Sequence, residues 1–133
     1  MTVQDLAAAL IRTFEGCRLT PYQDGGGLWT IGFGHRMTPS DIKALYAISY
    51  QTATEMLATD AEPLFELVKD KPIIAAAAYI SFGYNCGKAS LALVLQGKAR
   101  MLDFVHDHHG NIEPGLLSRR TTEAALIEAA TSK

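Results

Sequence analysis

Glu15, Asp24 and Thr30 stand in one stretch, Phe14 to His35, that reads FEGCRLTPYQDGGGLWTIGFGH. Eight residues separate the Glu from the Asp, and five separate the Asp from the Thr. Two carboxyl groups are what hydrolysis of a glycosidic bond requires. One, protonated, gives its proton to the leaving oxygen; the other, ionised, activates water or attacks the sugar. They need different surroundings to hold different protonation states at one pH. Spacing alone also fits a surface acid, a turn residue and a strand residue, so the elements around the three residues have to be read.

Thr2 and Asp5 fit a capping box, and Leu6, Leu10 and Phe14 follow on one helix face. Gly16 is a helix stop. Glu15 therefore sits in the last turn, where the negative end of the helix dipole disfavours a carboxylate charge and suits a proton donor. Arg18–Tyr22 and Leu28–Phe33 are rich in aromatic and β-branched residues, with Asp24-Gly25-Gly26-Gly27 as the turn between them. This predicts a small antiparallel hairpin, with Pro21 marking an edge strand. Asp24, among free backbone N–H groups, should stay ionised. Three polar groups on three elements can then converge on one point.

Helices are expected to resume at Thr38-Pro39-Ser40-Asp41 and again after Ser49, in a long helix that Pro63 should interrupt and kink. Pro72 opens an Ala-rich, buried helix ending near Gly83. Shorter helices are expected over about Ser90–Gln96 and Ala99–His108, and Pro114 opens a last helix into Ala130. The fold class is α+β and mainly helical. The chain is read as one domain of two lobes: β-containing over about 16–60, helical over about 61–133 with the N-terminal helix 3–15. A cleft between lobes is the usual place for a ligand.

The chain has 133 residues, enough for one domain with one core. At 48% hydrophobic and 20% charged it is not a disordered chain. A net charge of −2 disfavours bulk nucleic-acid binding. Cys17 and Cys86 form no CxxC, so the default is two reduced, mostly buried thiols. No basic leader precedes Asp5, and the longest apolar run, Pro72 to Ile80, is too short to span a membrane. A soluble chain made in the cytoplasm is expected.

The stretch resembles the phage-type lysozymes and endolysins, glycoside hydrolase family 24, whose signature places a Glu, an Asp and a Thr at this spacing within F-E-G-x-R-L-x-x-Y-x-D…T-I-G-x-G-H. Two further blocks match. Ser81-Phe82-Gly83-Tyr84-Asn85-Cys86-Gly87 is similar to S-F-x-F-N-x-G, and Pro114-Gly115-Leu116-Leu117-Ser118-Arg119-Arg120-Thr121-Thr122-Glu123 to P-G-L-x-x-R-R-x-x-E. The blocks lie near the start, middle and end of the chain.

The resemblance implies a lysozyme-like fold and a muramidase that cuts the β-1,4 bond between N-acetylmuramic acid and N-acetylglucosamine in bacterial peptidoglycan. Glu15 would be the general acid, with Asp24 and Thr30 positioning the attacking water. Inversion is implied, and with it a carboxyl separation of roughly 6.5–9.5 Å. The first Arg of the pair, Arg119, would reach Glu15; the alternative leaves Arg119 and Arg120 solvated, with Arg120 and Glu123 as an i, i+3 pair. Tyr22 and Asn85 would line the cleft and offer hydroxyl and amide groups to sugars. His35 would be structural, with Asp60 or Asp41 as partner, or a base. No cofactor and no metal is implied. The partner would be peptidoglycan, met by a monomer with no nucleic acid and no stable membrane insertion. A holin-type protein would release it from the host cytoplasm to the wall. Two rival readings stay open: a glycosidase on chitin-type glycans, and a non-catalytic peptidoglycan-binding relative.

Other signals point nowhere sharper. His106-Asp107-His108-His109 offers no i, i+4 His pair and reads as a solvated helix end. Trp29 alternates with Thr30 and is expected in core packing. Relative to the family, the segment between Gly87 and Phe104 looks trimmed, and Phe33 stands where Tyr is frequent.

Overall fold

A computed structural model describes residues 1–44 and 47–132. Helix α1 (Val3–Glu15) begins at a reciprocal cap: the Asp5 N–H donates to Thr2 Oγ1 at 3.0 Å, and the Thr2 N–H donates to Asp5 Oδ2 at 3.1 Å. It ends where Gly16 takes φ +66°, a conformation that suits a residue without a Cβ. Ala7 and Ile11 bury its apolar face.

The β region carries one more strand than the expected hairpin. Strands β1 (Arg18–Gln23), β2 (Trp29–Gly32) and β3 (His35–Arg36) form an antiparallel sheet in that order. Tyr22 pairs with Thr30, and Thr30 with Arg36. Pro21 lies on the edge strand, inside a register irregularity between Arg18 and Tyr22, where its missing N–H does no harm. Strand β3 is two residues long, too short to show alternation.

Helix α2 (Pro39–Ala44) has a second reciprocal cap, between Thr38 and Asp41. The backbone bond to Thr38 holds the Asp41 carboxyl below the usual range. Helix α3 (Tyr50–Val68) starts at Ser49 and runs on through Pro63, which does not interrupt it. Helix α4 (Ile73–Cys86) is the centre of the molecule, with Ala75 to Ala78 and Ile80 to Gly83 all buried. It runs three residues past the expected stop at Gly83, which carries Asn85 and Cys86 on helix. A Cβ on Gly83 would come within 2.9 Å of both Leu64 and Leu91, so the bare glycine lets α3 and the next helix approach α4. Helix α5 (Lys88–Leu95) follows at Gly87.

The helix expected over Ala99–His108 is absent. Only a 3-10 turn forms, Met101–Asp103. The Asp107 carboxylate accepts from the N–H groups of His109 and Asn111 at 2.9 and 3.0 Å, and His106 bridges to Ile112. Such local side-chain bonds compete with helix. Glu113 caps helix α6 (Pro114–Thr131), accepting from the N–H groups of Gly115 and Leu116.

Helix α4 packs against α1, α3, α5 and α6. The core joins Ile11, Phe33, Leu57, Leu64, Phe82 and Leu91, with Phe82 edge-on to Phe104 at 5.1 Å. Cys17 is exposed and Cys86 half-buried; both are free thiols, so the expectation of two mostly buried thiols fails for Cys17. It follows Gly16 outside the helix and faces no packed layer. Trp29 is exposed rather than in the core, on the sheet face opposite buried Thr30.

Candidate active site

Glu15 is the last helical residue of α1, so the stop at Gly16 decides where its carboxyl stands. Arg119 Nη1 donates to Glu15 Oε2 at 2.6 Å. The guanidinium is only 4% exposed and lies 5.3 Å over the Phe14 ring. Its other donors are held by the Ser81 carbonyl at 2.9 Å and by Glu123 Oε2 at 3.3 Å. Arg119 thus locks one oxygen of Glu15. The other, Oε1, lies against Gly34, where a Cβ would stand 2.7 Å away. Gly34 has φ +79°, in the turn between β2 and β3.

Asp24 occupies the turn between β1 and β2. Its Oδ1 accepts from the N–H groups of Gly26 and Leu28, both at 2.9 Å. This leaves Oδ2 without a protein donor among the described residues. Thr30 is buried on β2, and its hydroxyl donates to the Leu28 carbonyl at 3.0 Å. With its proton spent, Thr30 Oγ1 can only accept from a further partner.

Glu15, Asp24, Thr30, Tyr22, His35 and Asn85 all line one cleft of about 720 Å³. It runs between the sheet and helices α3 and α4, which also contribute Asp60, Pro63 and Tyr84. Every cleft residue expected from the sequence is on its wall except Arg119, which stands behind Glu15. Burial, then the nearby Glu15 charge, pushes the Tyr22 phenol up, so it faces the cleft as a neutral hydroxyl. His35 is tied twice: Nδ1 to Asp60 Oδ2 at 2.6 Å and Nε2 to Asp41 Oδ2 at 3.4 Å. Both carboxylates named as partners engage it, and they join β3 to α2 and α3.

The two arginines are not solvated. Arg120 is fully buried, with Nε on Glu123 Oε1 at 2.6 Å and Nη2 on Glu123 Oε2 at 3.0 Å. Glu123 is itself fully buried and accepts the Ser81 hydroxyl at 2.6 Å. The cluster balances Arg119 and Arg120 against Glu15 and Glu123. Removing one member of such a buried set typically costs about 3–5 kcal/mol, because it strands a charge. No buried side-chain nitrogen or oxygen among the described residues lacks a partner.

Three functional features were missed from the sequence. Gly34 gives Glu15 its space, and the clue lay in the second Gly of Gly32-Phe33-Gly34. Tyr84 donates its hydroxyl to the Phe33 carbonyl at 2.5 Å, which ties α4 to the β2–β3 turn. Glu123 holds both arginines; the sequence offers its spacing to Arg120 only as an i, i+3 pair in the alternative, solvated reading.

The family model described as phage lysozyme matches residues 12–123. No curated protein sequence matches the chain. Among solved structures, the chain is similar to the active form of the P1 phage endolysin Lyz. Identity is 25% and the TM-score is 0.70, over 93% of this chain and 83% of that one. It is also similar to the endolysin of Escherichia coli O157:H7 phage FAHEc1, with 22% identity and a TM-score of 0.72 over 96% and 93%. The muramidase domain of SpmX from Asticaccaulis excentricus has 24% identity and a TM-score of 0.68 over 91% and 93%. The last two support the lysozyme-like α+β fold alone.

Proposed function

This chain belongs to the phage lysozyme family and is a peptidoglycan-hydrolysing glycosidase of the lysozyme type, and from that premise we propose how its residues do the work. Glu15 is the general acid: Oε1, the oxygen that Arg119 does not hold, carries the proton to the leaving glycosidic oxygen. Asp24 Oδ2 accepts one hydrogen of a water, and Thr30 Oγ1 accepts the other. The water's lone pair is then aimed at the anomeric carbon from the face opposite Glu15. The bond from water oxygen to carbon forms as the glycosidic bond breaks, with inversion, and the water's surplus proton passes to Asp24 Oδ2. The bond cut is the β-1,4 linkage from N-acetylmuramic acid to N-acetylglucosamine. Tyr22 and Asn85 contact sugars, His35 braces the cleft wall, and Arg119 holds the acid.

The single observation that carries this reading is the shared cleft: Glu15 on a helix end, Asp24 on a hairpin turn and Thr30 on a strand all open onto it. The lobe division, about 16–60 against about 61–133 with helix 3–15, belongs to the same proposal, and α1's packing on α4 supports it. No described helix is long and apolar enough to cross a membrane. The proposed setting is synthesis as a monomer in the host cytoplasm and release to the wall by a separate holin-type protein.

The test is clearing of permeabilised Gram-negative cells by wild type and Glu15→Gln. The amide still offers Arg119 an acceptor but has no proton to give, so clearing should fall by about 10²–10⁴. Equal clearing would remove Glu15 as the acid. Sedimentation of wild type with the wall, with no new reducing ends, would favour a binding module instead. Mass spectrometry of the new reducing ends should find muramic acid; glucosamine ends would place the cut elsewhere.

A further inference from the structure

Asn85, exposed near the end of α4, is one wall of the cleft, and one end of its amide is already spent. Arg120 Nη1 donates to Asn85 Oδ1 at 2.7 Å. Arg120 cannot turn away: Glu123 holds it at two points, Phe82 lies under it at 5.0 Å, and the Cys86 sulfur accepts from the same Nη1 at 2.8 Å. A guanidinium has only donors, so chemistry decides which end of the amide faces it. The carbonyl end turns inward and the NH₂ end is left for the cleft. No described residue accepts from that NH₂.

The structure assigns Arg120 as a positioning residue that makes Asn85 a fixed donor toward the glycan. The proposal rests on the glycosidase reading above. A sugar hydroxyl can donate or accept and would be served by either end of an amide. A locked donor is selective only for a group that accepts and cannot donate. On an N-acetylated glycan the strongest such acceptor is the acetamido carbonyl oxygen, the ring and glycosidic ether oxygens being weaker, and Glu15, Asp24 and Asp60 make the same cleft unfavourable for a carboxylate. Asn85 therefore selects the N-acetyl group, and Arg120 enforces the selection from behind.

The experiment uses soluble glycan strands from a Gram-negative wall, intact or chemically de-N-acetylated. KM and kcat are measured for wild type, Asn85→Ala and Asn85→Asp, and Kd for the same strands is measured in a Glu15→Gln background with Asn85 intact and with each Asn85 variant. Removing the acetyl groups should weaken wild-type KM and Kd about 3- to 10-fold, the worth of one neutral hydrogen bond. Asn85→Ala should erase that preference, so that KM and Kd no longer differ between intact and de-N-acetylated strands. Asn85→Asp keeps a partner for Arg120 but turns an acceptor on the cleft, so it should reverse the preference toward the amine-bearing strands. Arg120→Lys keeps the charge beside Glu123 without the fork, and should lose the preference as Asn85→Ala does. A purely structural Arg120 would lower the unfolding temperature and leave the preference untouched. Asn85 is exposed, so its two variants decide the matter even if Arg120→Lys is not recovered folded. A preference unchanged in both overturns the proposal. The Kd arm reads it without turnover, so a failure of the glycosidase reading would show separately, as wild-type strands left uncut.

Discussion

At the scale of single residues, the position of the Glu15 carboxyl is defined as much by a missing atom as by a present one. Gly34 leaves room for Glu15 Oε1 while Arg119 pins Oε2. The carboxyl cannot swing aside without giving up its ion pair. Gly34→Ala should therefore displace the proton donor and strain a backbone at φ +79°. The expected outcome is a kcat lowered at least about tenfold and a stability lowered by about 1–2 kcal/mol, read by steady-state kinetics and thermal unfolding. An unchanged kcat would show that Oε1 does not depend on this gap. Glu15, Asp24 and Thr30 were singled out in the sequence by the family signature around them, since their types and spacing alone also fit a surface acid, a turn residue and a strand residue. Gly34 and Tyr84 were not, because their roles depend on contacts between segments distant in the chain. Arg119 and Arg120 were legible as a motif, but their burial was not. Only their joint balance with Glu15, Ser81 and Glu123 makes two adjacent cations tolerable inside the protein.

Among the elements, the caps were the readable part. Thr2, Thr38, Ser49 and Pro114 each place a helix start within a residue, since capping is local chemistry. What local chemistry misled was the stretch after Gly97, where Asp107 bonds the backbone and prevents the helix its composition suggested. Strand β3 escaped because its pairing partner, not its own sequence, makes it a strand. One bond joins these levels. Tyr84 on α4 donates to Phe33 in the β2–β3 turn, beside Gly34. Burial holds the Tyr84 phenol above its ordinary value of about 10. A raised value in the folded state stabilises below the ordinary value, and that stability is lost as pH rises through it. Tyr84→Phe should lower stability by about 1 kcal/mol at pH 7. The gap from wild type should narrow above about pH 10, where the unfolded phenol ionises. Urea unfolding at both pH values checks this. A gap that stays constant would mean that the phenol is not raised in the folded protein, and no gap at pH 7 would mean that the bond does not tie helix to turn.

For the whole molecule, α1, α4 and α6 converge on one buried cluster behind Glu15, while the sheet region presents Asp24 and Thr30 to the cleft. The overall charge of −2 gives no steering toward an anionic wall, so recognition falls to groups in the cleft. The small sheet among helices was readable in outline from one β-rich stretch between helices. A cleft was expected, but not the set of its walls, which come from α1, β1, β2, β3, α3 and α4 together. The central claim is that a water held by Asp24 and Thr30 attacks the sugar from the face opposite Glu15. Anomer-resolved NMR of a fresh digest of soluble glycan strands, recorded before mutarotation, tests it most directly. The first product to appear should be the α-anomer; first appearance of the β-anomer would overturn attack by a water on the face opposite Glu15.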